Sequence, residues 1–350
     1  MNLKKFNLPE MNISPKISFL FLGTPEFGAL IFEKIIKSKK LKKINLFPLA
    51  AITEPDKPKG RGKKLTPPPV KIIAEQFKIP VYQPQTKSEL SSLILKLKPD
   101  LIIVAAYGKI LPKEVLEIPK YKAINVHPSL LPKYRGPSPI QSAILNGDKE
   151  TGVTIMLISE EMDAGDILAQ EKIKIKKQNW KELSKELAEL GGNLLIETIP
   201  KYLCGIEKFN WCKTIIPIKA HPQDHSKASY TKLIKKEDGH INWSKSAFEI
   251  ERMIRAYFPW PGTFTKIKSS SSKLNGKILK IHKAHLPKKS PSLASKPPGT
   301  VFQIKKNEIA VSCGNKSILI LDEVQLEGKK KMEIDDFLNG YPEILESLLT

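Results

Sequence analysis

Long apolar runs are missing from this 350-residue chain. None approaches the ~18 consecutive apolar residues that a membrane-spanning helix requires. Cysteine is scarce. Cys204, Cys212 and Cys313 form no CxxC pair and no His/Cys ligand spacing, so no disulfide framework and no metal site is expected, and each is read as an idle thiol. The nucleotide-binding frames are missing too. "GTPEFG" (23–28) has the wrong glycine spacing for a dinucleotide fingerprint, and "PKGRGKKL" (58–65) lacks the GxxxxGK[ST] frame of a phosphate loop. No GxSxG is present, so an activated serine on a sharp turn is not expected. The opening "MNLKKFNLPEMNISPK" (1–16) lacks the apolar segment of a secretion signal and reads as a flexible extension on a cytoplasmic protein. Negative charge is in short supply: 58 Lys and Arg face 36 Asp and Glu, a net charge of +22. Such an excess points to a polyanionic partner, nucleic acid first, although the lysines are too evenly spread to draw a binding face.

What is present suffices for two cores, at 41% hydrophobic residues. "ISFLFLG" (17–23), "FPLAAIT" (47–53), "DLIIVAAYG" (100–108) and "AINV" (123–126) read as strands buried on both faces. Helical spacing in "TPEFGALIFEKIIK" (24–37) and "SELSSLILKLK" (88–98) alternates with them, which predicts a doubly wound α/β domain. "GVTIMLIS" (152–159) and "ILAQEKIKI" (167–175) add two strands. Residues 180–203 read as one helix or a pair broken at Gly191–Gly192. After an aperiodic stretch at 205–227, a helix at 246–257 precedes short strands at 277–286, 299–304, 308–313 and 317–326, the spacing of a small barrel or open sheet. Tyr257, Phe258 and Trp260 in "RAYFPWPGTF" (255–264) are read as packing residues.

Chemistry is expected where parallel strands end. Asn125 and His127, two apart in an extended segment, share one face. An imidazole can exchange a proton near neutral pH, and an amide can donate to an oxygen that gains negative charge. "EEMDAGDIL" (160–168) offers two carboxylates, Asp163 and Asp166, on a turn bent at Gly165; either could orient the imidazole and fix its tautomer, and residue chemistry does not choose between them. With no nucleophile of its own, the protein would position a nucleophile carried by its substrate.

Taken together, "NVHPSLLPKYRGPSPIQ" (125–141) and "TGVTIMLISEEMDAGDIL" (151–168) resemble the folate-dependent formyltransferases. The resemblance implies a catalytic trio of Asn125, His127 and Asp163. It implies a cofactor loop at "SLLP", Ser129, Leu130, Leu131 and Pro132. A pterin-lining strand end is implied in "VAAYGKILP" (104–112), at Tyr107, Gly108, Lys109 and Ile110. Three further stretches are similar to the branch that acts on methionyl initiator tRNA: "FLGTPEFG" (21–28), the basic "TEPDKPKGRGKKLTPPPVK" (53–71) and "INWSKSAFEIERMIRAYFPWPGTF" (241–264). Arg61 matches an arginine that helps to open the first base pair of the acceptor stem, with Lys63 and Lys64 beside it as tRNA-binding cations. The implied fold is a Rossmann-like doubly wound parallel sheet, the formyltransferase fold, at 17–204, a linker at 205–227, and an OB-like β-barrel at 228–350 that contacts tRNA. The implied reaction moves a formyl group from 10-formyltetrahydrofolate to the α-amino group of the aminoacylated initiator, by a monomer without metal and away from any membrane. A formyltransferase acting on a small amine would share the trio without needing the basic loop or the barrel. An RNA-binding protein on an inactive scaffold would have a broken trio.

Overall fold

The computed structural model describes residues 15–59, 62, 64–288, 296–305, 308–345 and 347–350. They form two compact units. One holds residues up to Arg135 with Gly152–Lys172 and Lys185–Ala228; the other holds Gly136–Thr151, Ile173–Ser184 and Ser229–Thr350.

The first unit is built on strands β1 (Ile17–Gly23), β2 (Leu46–Ile52), β3 (Lys57–Lys59), β4 (Lys64–Thr66), β5 (Val81–Tyr82), β6 (Leu101–Ala105), β7 (Ala123–His127), β8 (Glu150–Leu157) and β9 (Ile167–Lys174). Seven of these make one sheet in the order β5-β2-β1-β6-β7-β8-β9, and β3 pairs with β4 in a separate hairpin. Strands β5 to β7 along that order are parallel, and β8 joins antiparallel to β7. Every residue of β1 and β6 is buried, as expected of strands covered on both faces. On one face Leu20, Leu22, Ile102 and Val104 pack with Leu90 and Ile94 of the helix Lys87–Leu97. On the other, Phe21 stacks on Phe32 of the helix Glu26–Lys37 at 4.4 Å between ring centres. Burial of each such side chain contributes about 1.5–3 kcal/mol.

One open reading closes here, and one expectation needs correction. The helix Trp180–Ile206 runs unbroken through Gly191–Gly192. A Cβ on Gly191 would stand 2.8 Å from Val126 and 3.2 Å from Val153, so the glycine brings the helix close to β7 and β8 instead of ending it. Cys204 and Cys212 are not idle thiols. The chain turns back after the helix, brings their Cα atoms to 5.8 Å, and a disulfide joins them. Cys313 is a free, buried thiol, and burial pushes its pKa up to about 12.

Residues 205–227, expected to link the domains, run back along the first unit. Ile218 N donates to Lys201 O at 3.2 Å, and Ile167 and His221 exchange backbone hydrogen bonds of 2.8 and 3.0 Å.

The second unit contains the helix Ala247–Ala256, capped by Ser246 and Glu249 in a reciprocal box, and strands β10 (Thr263–Lys268), β11 (Ile278–His285), β12 (Val301–Lys305), β13 (Glu308–Cys313), β14 (Ser317–Leu326), β15 (Met332–Glu333) and β16 (Leu348–Leu349). The order is β12-β13-β14-β11-β10-β16. Its two ends meet: Val301 N donates to Ser347 O at 2.9 Å and Leu349 N to Gly299 O at 2.8 Å, so the sheet curls closed as a small barrel. Alternation along β10 puts Thr263, Thr265 and Ile267 inside and Lys266 and Lys268 outside. Phe264 lies opposite Lys280 in β11, which sets all three lysines on one outer face. Tyr257 is buried, but Trp260 is 57% exposed and so is not the packing residue expected from its neighbours.

Candidate active site

The strand order reverses between β1 and β6, which run parallel, and the ends of β6 and β7 lie beside that switch. Val104 is in register with Asn125, so the two strands finish together. Asn125 and His127 leave β7 on one face, as their spacing predicts. The turn after β8 comes back over them. Asn125 Nδ2 lies 3.5 Å from Asp163 Oδ1, and His127 Nδ1 lies 3.6 Å from the same oxygen. These are long for direct hydrogen bonds, and they leave both groups aimed at one point beside the carboxylate. Asp166 is exposed, and the geometry therefore chooses Asp163 between the two carboxylates.

The tautomer is set from the other side of the ring. His127 Nε2 stands 2.9 Å from Tyr134 O. A carbonyl only accepts, so Nε2 carries a proton, and Nδ1 is the ring nitrogen turned towards Asp163. The carbonyl of Tyr134, and not the carboxylate expected to do so, thus holds the Nε2 proton in place. Gly165 is needed for a different reason from the one its sequence suggested. It is Asp163, at φ 51°, that takes left-handed backbone, which Asp tolerates better than most residues. Gly165 passes so close to the end of β8 that a Cβ would lie 1.9 Å from Leu157 O.

The cofactor-loop residues divide into supports and surface. Ser129 is fully buried, and its Oγ donates to Lys133 O at 2.6 Å. Leu131 packs against Met156 and Ile167. Leu131 N donates to Thr154 Oγ1 at 3.1 Å, and Leu131 O accepts from Gln170 Nε2 at 2.8 Å. Thr154 and Gln170, polar residues on strands, carried no signal that would mark them as loop clamps. Leu130 and Pro132 remain half-buried. In the β6 loop, Tyr107 turns into the core with Leu111 and Val115. Burial, and then the Glu54 carboxylate, push its phenol up to about 12, so it packs as a neutral ring. Lys109 reaches back to Pro84 O at 2.9 Å, while Gly108 and Ile110 are exposed. Two loops with small or apolar surface, leaving adjacent strand ends next to an amide and an imidazole, fit a flat heteroaromatic group with a polar edge. Among the described residues, no group of three or more His, Cys, Asp or Glu could hold a metal ion.

The basic stretch forms the β3–β4 hairpin, and Lys64 is exposed on it. Its base is tied down: Lys71 Nζ pairs with Asp56 at 2.9 Å, and Gln83 Nε2 donates to Glu54 O at 2.7 Å. Gln83 and then Lys71 hold the Asp56 carboxyl below its ordinary range. Arg61 and Lys63 lie outside the described residues.

The protein is thus of the α/β class, a doubly wound sheet with an amide, an imidazole and a carboxylate gathered at adjacent strand ends. The chain belongs to the formyl transferase family: residues 16–199 match "Formyl transferase", and 233–342 match "Formyl transferase, C-terminal domain". It is 43% identical to the methionyl-tRNA formyltransferase of Caldicellulosiruptor saccharolyticus, over 93% of this chain and 97% of that one. It is 40% identical to the enzyme of the same name from Clostridium novyi, over 95% and 100%. Among solved structures it resembles WlaRD, a sugar 3N-formyl transferase, with a TM-score of 0.60, 20% identity and coverage of 90% of this chain and 100% of that one. HypX from Aquifex aeolicus, solved with tetrahydrofolic acid, gives a TM-score of 0.60 at 17% identity; 95% of this chain covers 48% of that longer one. At such identities the two structures bear on the fold alone. Among the described residues, no helix is long and apolar enough to cross a membrane.

Proposed function

We propose that this protein transfers a formyl group from 10-formyltetrahydrofolate to the α-amino group of methionyl initiator tRNA. The observation that carries the reading is the aim of Asn125 and His127 at one oxygen of Asp163, in a chain that matches methionyl-tRNA formyltransferases along nearly its whole length. When bound, the folate supplies the formyl group. Gly108, Ile110, Leu130 and Pro132 would line it, with Tyr107, Lys109, Ser129 and Leu131 holding those loops in shape.

Asn125 Nδ2 donates to the formyl oxygen as that oxygen gains negative charge. His127 Nδ1 takes the proton that the attacking amine loses and passes it towards the departing folate nitrogen. Asp163 faces the imidazolium that forms and stabilises its charge. Bond making and breaking balance: one amine N–C bond forms, one folate N–C bond breaks, and a proton moves between the two nitrogens by way of His127.

Arg61, Lys63 and Lys64 would meet the acceptor stem, and Lys266, Lys268 and Lys280 would meet phosphates along the tRNA. We place the enzyme in the cytoplasm as a monomer. A small-amine substrate is disfavoured by the basic hairpin and the barrel, which such a reaction does not need.

The test is formylation of charged initiator Met-tRNA against charged elongator Met-tRNA, with 10-formyltetrahydrofolate as donor. Rapid transfer to the initiator alone is expected. No transfer to either, with folate still bound, would move the substrate to a small amine.

A further inference from the structure

Gln223 belongs to an aperiodic stretch that carries no sequence motif, yet it is only 5% exposed and its amide is fully engaged. Its Nε2 donates to Asp163 O at 2.9 Å and to Gly165 O at 2.7 Å. Its Oε1 accepts from Arg135 Nε at 3.2 Å and from an Arg135 terminal nitrogen at 2.7 Å. The amide can sit in one orientation only, because two carbonyls on one side require donors and a guanidinium on the other requires an acceptor.

Arg135 is the largest fully buried side chain among the described residues, at 1% exposure, and it also reaches His225 Nδ1 at 3.4 Å. It directly follows Tyr134, whose carbonyl accepts from His127 Nε2. A single buried amide therefore ties the loop that orients the imidazole to the turn that carries the carboxylate. That turn needs tying. Asp163 has left-handed backbone, and Gly165 is pressed against Leu157 O.

We infer that Gln223 is a positioning residue for formyl transfer: with Arg135 as its anchor, it holds the Asp163 turn in register with His127. The inference rests on the catalytic reading of Asp163. It differs from a general stabilising role because the bonds end on the backbone of the very residue that faces Nδ1.

Gln223→Glu separates the two roles. The carboxylate still accepts from Arg135, and now carries charge to meet it, but it cannot donate to the carbonyls of Asp163 and Gly165. With initiator Met-tRNA and 10-formyltetrahydrofolate, kcat should fall about 10–100-fold while both KM values stay within about twofold, because the ground-state contacts survive and the alignment does not. In an Asp163→Asn background the same change should cost less than about threefold, since its effect passes through the carboxylate.

Wild-type kcat in Gln223→Glu, alongside a large loss in Asp163→Asn, would overturn the positioning role and spare the catalytic one. An equal loss in both backgrounds would also overturn it, in favour of a structural role. Wild-type kcat in Asp163→Asn would bring down the catalytic reading, and this inference with it. Thermal melting and tetrahydrofolate binding report whether each variant is folded. Gln223→Met, which adds no charge to the buried turn, repeats the comparison if the glutamate melts the fold.

Discussion

His127 and Lys266 stand for two ways of building a binding protein from one chain. His127 is 4% exposed, held at Nε2 by a backbone carbonyl and faced at Nδ1 by a carboxylate that is itself tied down. Lys266, with Lys268 and Lys280, stands in solvent on an outer barrel face. The first arrangement fixes a few atoms to within a fraction of an ångström, as proton transfer demands. The second presents charge that need not be fixed, because a polyanion is attracted from several ångströms away and counterion release is additive. Loss of one residue should therefore be severe at the strand end and slight on the barrel.

The largest effect expected is His127→Ala. It removes the proton carrier and should lower kcat by roughly 10²–10⁴-fold with little change in KM for tRNA. A kcat near wild type in single-turnover assays would sink its role. Asn125→Ala should follow at about 10²–10³-fold, the cost of one donor to a developing oxyanion. Neither loss should depend on salt. If added salt narrows the gap to wild type, the strand end is acting through long-range charge and the contrast fails.

Arg61→Ala should act in between. It should lower kcat/KM on initiator tRNA by about 10-fold or more, on the scale of a lost bidentate contact, and leave folate binding intact. Unchanged tRNA kinetics would remove Arg61 from the interface. The smallest single effects belong to Lys266, Lys268 and Lys280. Each alanine variant should change kcat/KM by less than about threefold, while the triple variant flattens the dependence of log kcat/KM on log salt by about 2–3. A triple variant with the wild-type slope would place the tRNA elsewhere.

The contrast also explains what could be read from the chain. β1 and β6 were legible because strands covered on both faces are nearly continuous apolar runs, a signal that needs no partner to interpret. Asn125 and His127 were legible because a period of two fixes their common face. The tie between Asp163 and Asp166 was not breakable locally, since both sit on one turn and only its path over β7 makes them unequal. Gly191–Gly192 left one helix and a broken pair both open because glycine costs a helix about 1 kcal/mol locally; close approach to Val126 and Val153 outweighs that cost. The Cys204–Cys212 disulfide depends on a reversal of direction that spacing does not encode. Trp260 misled because aromatics beside prolines are commonly packed, and here the ring faces outward.

Residue order by itself determined the two folding units' broad character, the excess of positive charge, the strand-end pair Asn125 and His127 and the basic stretch that becomes the β3–β4 hairpin. These follow from short-range rules: burial sets apolar runs, backbone period sets shared faces, and charge adds up without regard to position. Only the tertiary structure decided which carboxylate faces the imidazole, which ring nitrogen faces it, and that a glutamine sixty residues beyond Asp163 bonds to its turn. Those contacts join residues from seven to sixty positions apart through loops whose paths are set by packing. They are polar contacts of 2.9–3.6 Å, and such a contact leaves no periodic trace in sequence because a single residue on each side is enough to make it.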